Sequence, residues 1–122
     1  MANDFKRFSK ADIGTSTGAS ADAVYTVPAG AGSTALESIV IGISLCNKTS
    51  SSLTAGLFLD NYDGTNDAYV VKQITIPAYS QVEVMTGNKM VLMNDGTTGD
   101  VLRAEASAGT SLDVVVSVLE DV

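Results

Sequence analysis

The chain has 122 residues, 45% of them hydrophobic, and carries a formal net charge of -7 at pH 7. That length and composition suit one domain with its own core and exclude an intrinsically disordered chain. With only 7 basic residues the chain is not expected to bind nucleic acid, because phosphate neutralisation needs clustered Lys and Arg, and no apolar run reaches the length of a membrane span.

Residues 1–20 read as an N-terminal arm and connector ahead of a β domain over residues 21–122. Lys6, Arg7 and Lys10 are three of the seven basic residues, and Phe5 and Phe8 are two of the three phenylalanines. Charges stand where a signal peptide needs an apolar core, so no secretion signal is expected. Residues 15–20 are a Ser/Thr/Gly/Ala connector without periodicity. In this reading Phe5, Lys6, Arg7, Phe8 and Lys10 are the candidate interface residues, the rings serving as anchors and the cations meeting acidic groups on a neighbouring subunit. The competing reading makes residues 2–13 a first strand that closes the bottom of the domain.

Short strands follow at regular spacing. Residues 22–27 form one, ended by Pro28-Ala29-Gly30, where Pro fixes φ and Gly tolerates a turn. Residues 36–47 are the central strand, with Ile39, Ile41, Ile43 and Leu45 on one face and Ser38, Val40, Gly42, Ser44 and Cys46 on the other. Residues 53–60 alternate again, with Leu53, Ala55, Leu57 and Leu59 together. Residues 68–76 set Val70, Ile74 and Ile76 inward in parity with Lys72, a charge that predicts an edge position or a strand end. Further strands are expected over 81–85, 89–93, 100–106 and 112–120, with a turn at Gly87-Asn88. The last strand, with Leu112, Val114, Val116 and Val118 on one face and Val115 and Leu119 on the other, is expected to be covered on both sides. The fold class is therefore all-β: a single-domain antiparallel β-sandwich or small barrel of about eight strands.

The chain has no histidine and no tryptophan. The commonest general base and most zinc sites are thereby excluded, and carboxylate-only glycosidase chemistry lacks its aromatic cleft. No catalytic residue, cofactor or metal-ligand set is assigned, and the protein is not expected to be an enzyme. The acidic loop at residues 60–67 offers oxygen ligands for a hard cation, but its register fails the EF-hand pattern, and an Asx-rich turn is the competing reading. Among Tyr25, Tyr62, Tyr69 and Tyr79, Tyr62 is the one expected to be exposed. Cys46, the chain's one cysteine, is expected to be a buried, unreactive small side chain.

Several stretches carry a resemblance. Ala2-Asn3-Asp4-Phe5-Lys6-Arg7-Phe8 with Lys10-Ala11-Asp12-Ile13-Gly14 resembles the start of small virion structural proteins of tailed bacteriophages, the cyanobacterial-phage type above all. Val24-Tyr25-Thr26-Val27-Pro28-Ala29-Gly30, Ile76-Pro77-Ala78, Lys89-Met90-Val91-Leu92 and Ser117-Val118-Leu119-Glu120 are similar to the rhythm of the same group. The resemblance implies a structural β module of the neck, tail, baseplate or fibre attachment, with capsid decoration as the alternative. It also implies a virion location after assembly in the host cytoplasm, other virion proteins as partners, and a homo-oligomer, trimer or hexamer. It supplies no chemical site. A carbohydrate- or cell-surface-binding β-sandwich is the remaining alternative.

Overall fold

A computed structural model describes residues 3–85 and 89–121; the turn expected at Gly87-Asn88 lies outside them. Among the described residues nine strands run β1 (Asn3–Lys10), β2 (Asp22–Thr26), β3 (Leu36–Asn47), β4 (Leu53–Asp60), β5 (Ala68–Ile76), β6 (Gln81–Glu83), β7 (Met90–Asn94), β8 (Val101–Ala106) and β9 (Leu112–Asp121). A single turn of 3-10 helix at Gly18–Ser20 precedes β2. All named strand pairs are antiparallel. One sheet has the order β1-β9-β3, with β6 and β7 sharing the far side of β3; the other has the order β2-β8-β4-β5. The expected all-β sandwich is what the structure shows.

The core is the space between the sheets, filled by whichever parity of each strand points inward. On β9 this is the even set, so Leu112, Val114, Val116 and Val118 have no exposed surface. They meet Leu57, Leu102 and Ala104 of the second sheet in one cluster with Tyr25, Ile43, Leu45 and Leu92. The outer face of β9 is not sealed as expected: Val115 is 38% exposed.

β3 departs from the expected alternation in an instructive way. Its pairing with β9 steps past Ile41, between Val40 and Gly42. One extra residue in a strand reverses the parity beyond it. Leu36, Ser38 and Val40 are buried before the bulge, and Ile43, Leu45 and Asn47 after it. Ile39 and Ile41, expected inward, therefore lie outward, and so does Cys46, which is half-exposed rather than buried.

Of the two readings of residues 2–13, the first-strand reading describes residues 3–10. β1 pairs with β9 along its whole length, from Asn3 opposite Asp121 to Lys10 opposite Val114. These residues are thus an edge strand of the sandwich and not a free arm. The following segment is anchored as well: Ile13 is fully buried and its N–H donates to the Leu112 carbonyl at 3.0 Å. Lys72 stands on β5, the outermost strand of its sheet, as its charge predicts.

Three buried polar side chains tie the loops to this frame. The Asn47 carboxamide donates to the carbonyls of Ser51, Ile76 and Pro77 at 2.8, 3.0 and 3.2 Å, while its oxygen accepts from the Thr49 N–H and hydroxyl. Asn94 donates to the Val27 carbonyl at 2.8 Å and accepts from the Gly96 N–H. The Asp100 carboxylate accepts from the N–H groups of Tyr62 and Met93. Each satisfies backbone groups that a buried loop would otherwise leave unpaired.

Candidate interaction surface

The five residues expected at an interface do not act together. A spacing of three places Phe5 and Phe8 on opposite faces of an extended strand. Phe8 lies opposite Val116 and Lys6 opposite Val118, so both share the inward face. The Phe8 ring packs on that of Tyr25, with centroids 4.5 Å apart. Lys10, opposite Val114, follows the same parity at the exposed end of the strand. Phe5 and Arg7 point outward, and Phe5 is 79% exposed, the most open large apolar side chain described.

Lys6 is held by a group that the sequence reading did not single out. Glu120 continues the inward parity of β9 and is completely buried. Its Oε2 accepts from the Tyr25 hydroxyl at 2.5 Å, which in turn lies 3.0 Å from the Ser38 hydroxyl. Its Oε1 receives no hydrogen bond of good geometry and has the Lys6 ammonium, 2.9 Å away, as its counter-charge. The carboxylate of Glu120 beside it holds the Lys6 ammonium above its usual range, and burial, reinforced by Glu120, pushes the Tyr25 hydroxyl well above that of an ordinary tyrosine. Both groups therefore stay protonated at neutral pH, as donors to a buried carboxylate.

The outer face of the β1-β9-β3 sheet is where apolar surface reaches solvent. One register row crosses four strands: Phe5 pairs with Leu119, Leu119 with Ile39, and Ile39 with Val91. Val91 is 54% exposed, and Ile41 and Met93 flank the row, also exposed. The next row on one side is polar, with Arg7 opposite Ser117; beyond it Glu83 lies opposite Ser44 in a row that also holds the exposed Val115. The outer face of the second sheet has a different chemistry. There Arg103 pairs with Asp60 at 3.1 Å, Phe58 packs edge-on to Tyr69, and the Lys72 ammonium sits 4.3 Å over the Tyr69 ring. Glu105, nearly buried, accepts from the Gly18 N–H and the Tyr69 hydroxyl, so the 3-10 turn lies against this side.

The acidic loop spends its oxygens on its own backbone. Asp67 accepts from the Asn61 N–H, Asn61 from that of Asp63, and Asp63 from that of Thr65. The last two are Asx turns, and no group of three or more acidic or thiol ligands converges among the described residues. Tyr62, expected to be exposed, is half-buried because its N–H is drawn to Asp100; Tyr79 is the open tyrosine, at 72% exposure. No protein family, curated protein or solved structure matches the chain.

Two aspartates define an acid limit. Burial pushes the Asp113 carboxyl up, but the Lys48 ammonium and the Asp12 N–H outweigh it and hold it below its usual 3.8. The N–H groups of Thr98 and Thr97 lower Asp95 likewise. A carboxyl depressed in the folded state adds stability above its ordinary pKa and loses it as the pH falls through the depressed value. The urea midpoint should therefore be flat from neutral pH to about pH 5 and fall below about pH 4. An Asp113→Asn variant should start lower at neutral pH and show a shallower fall; an unchanged slope would remove Asp113 from the effect.

Proposed function

We propose that the chain is a non-enzymatic structural component of a tailed-phage virion, of the neck, tail, baseplate or fibre attachment, acting through protein–protein contacts. The observation that carries the assembly part is the apolar row Phe5–Leu119–Ile39–Val91 on the outside of a closed sandwich. An exposed apolar strip rimmed by polar side chains is the usual mark of a contact surface. The phage part rests on the likeness of the N-terminal and Pro-turn stretches to small virion proteins. Other virion proteins are the partners in this reading, and assembly takes place in the host cytoplasm. Quantitative mass spectrometry of purified particles tests it: the chain should be present in fixed stoichiometry with the tail or head proteins, and its absence from particles of a phage that encodes it would overturn the assignment.

A further inference from the structure

We infer that the outer face of the β1-β9-β3 sheet is a self-complementary interface that pairs two copies of this chain about a two-fold axis. The axis runs parallel to the strands, between β9 and β3. The argument comes from the order of side chains across the face. Its apolar row reads Phe5, Leu119, Ile39, Val91 from one edge to the other. A two-fold axis along the strand direction reverses this order in the facing copy. Phe5 then meets the partner's Val91, the largest side chain of the row against the smallest, and Leu119 meets the partner's Ile39. Two sheets packed in this way keep their strands nearly aligned and lie about 10 Å apart, the geometry of a sandwich interior.

One pair of charges obeys the same reversal. Arg7 stands on the β1 edge, in the row of Ser117 and Gly42. Glu83 stands on the β6 edge, and its carboxylate leans into that row: a methyl group placed on Gly42 would sit 3.1 Å from Glu83 Oε1. The axis that superposes Phe5 on Val91 therefore brings Arg7 of each copy over Glu83 of the other. Opposite charges meet twice at the rim of an apolar centre, the ordinary anatomy of a protein interface. An isologous contact of this kind closes on itself without leaving an open surface for further growth. The partner is thus a second copy rather than a protein of other chemistry, since the apolar row is complementary to itself in size and the Arg7–Glu83 pair follows the same reversal. The pairing goes beyond the virion reading and does not depend on it. It makes a dimer the basic unit, which can build a hexamer but not a trimer.

Sedimentation equilibrium on the full chain tests the pairing. The wild-type protein should be a dimer, and Arg7→Glu and Glu83→Arg should each weaken it about tenfold or more. The double reversal, Arg7→Glu with Glu83→Arg, should restore it. Circular dichroism melts confirm that these surface variants fold. A second arm uses cross-linking: Phe5 and Val91 of one chain stand three strand spacings apart, about 14 Å, whereas Phe5 and the partner copy's Val91 face each other across the sheet spacing of about 10 Å. In a Cys46→Ser background the Phe5→Cys, Val91→Cys double variant should give a covalent dimer with a thiol-reactive cross-linker whose reach matches the shorter gap and not the longer, and neither single variant should. A monomeric wild type, an association indifferent to the reversals, a double reversal that fails to restore it, or cross-linking by the single variants would each overturn the pairing. Absence from virions would leave it intact and overturn only the assignment above.

Discussion

A chain that begins at residue 11 is expected to lose cooperative folding. β1 hydrogen-bonds to β9 through eight register pairs, places Phe8 on Tyr25, and supplies the Lys6 ammonium to the buried Glu120. Its removal uncovers the β9 edge of a sheet whose inner side chains form the centre of the core, and leaves a buried carboxylate without its cation. A domain of this size has roughly 5–15 kcal/mol of total stability, and losing an edge strand takes most of that. A urea titration followed by far-UV circular dichroism should show a broad or absent transition for the truncated chain. Phe8→Ala alone should cost about 2 kcal/mol, below the usual range for aromatic truncation because the ring is only half-buried. A sharp, near-wild-type transition in the truncated chain would mean that β1 is a detachable arm after all.

Asn47→Ala should lower stability by about 3 kcal/mol and the melting temperature by roughly 10 °C. Asn47 is fully buried at the end of β3, and its side chain is bonded to Thr49, Ser51, Ile76 and Pro77. Truncation strands carbonyls from two loops, since each buried group left unmade costs more than a formed bond contributes. Asn47→Asp is the informative control. It keeps the acceptor used by Thr49 but turns the other end of the side chain, now an anionic oxygen, toward three carbonyls. Calorimetry should find it at least as destabilised as Asn47→Ala. A mild effect in the aspartate variant would show that the acceptor side, and not the donor side, holds these loops.

How much of this was legible in the sequence depends on the range over which each cause acts. Strands β2 to β5 and β9 follow from alternation within a few residues, and their ends from the Pro, Gly, Asn and Asp residues beside them. The inward face of β3 did not follow. Its bulge falls inside a run of Ile and Val, where every residue is equally suited to either face, and only the partner strand decides that Ile41 is the extra one. The buried roles of Glu120, Asn47 and Asp100 were equally hidden, because Tyr25 lies 95 residues from Glu120 and Ile76 lies 29 from Asn47. As letters, these residues are indistinguishable from exposed turn formers. The opposite faces of Phe5 and Phe8 were legible in their spacing; reading the segment as an arm concealed them. The apolar row on the outside needed the register of four strands at once, which no local pattern contains.

The placement of positive charge on β1 has a consequence for how the protein stays out of fibrils. An eight-residue strand at the rim of a sheet offers an open ladder of N–H and C=O groups to any other strand. Here that ladder carries Lys6, Arg7 and Lys10, and two of these cations share the parity that points toward the sandwich interior. A second β1 laid alongside would bring cation against cation and would force lysines toward an apolar layer. On the opposite side, β6 and β7 are two short pieces that divide the length of β3 between them, so no long continuous template is presented there either. Growth by strand addition is thus opposed at both ends of this sheet, and the apolar surface it exposes lies on its flat side instead.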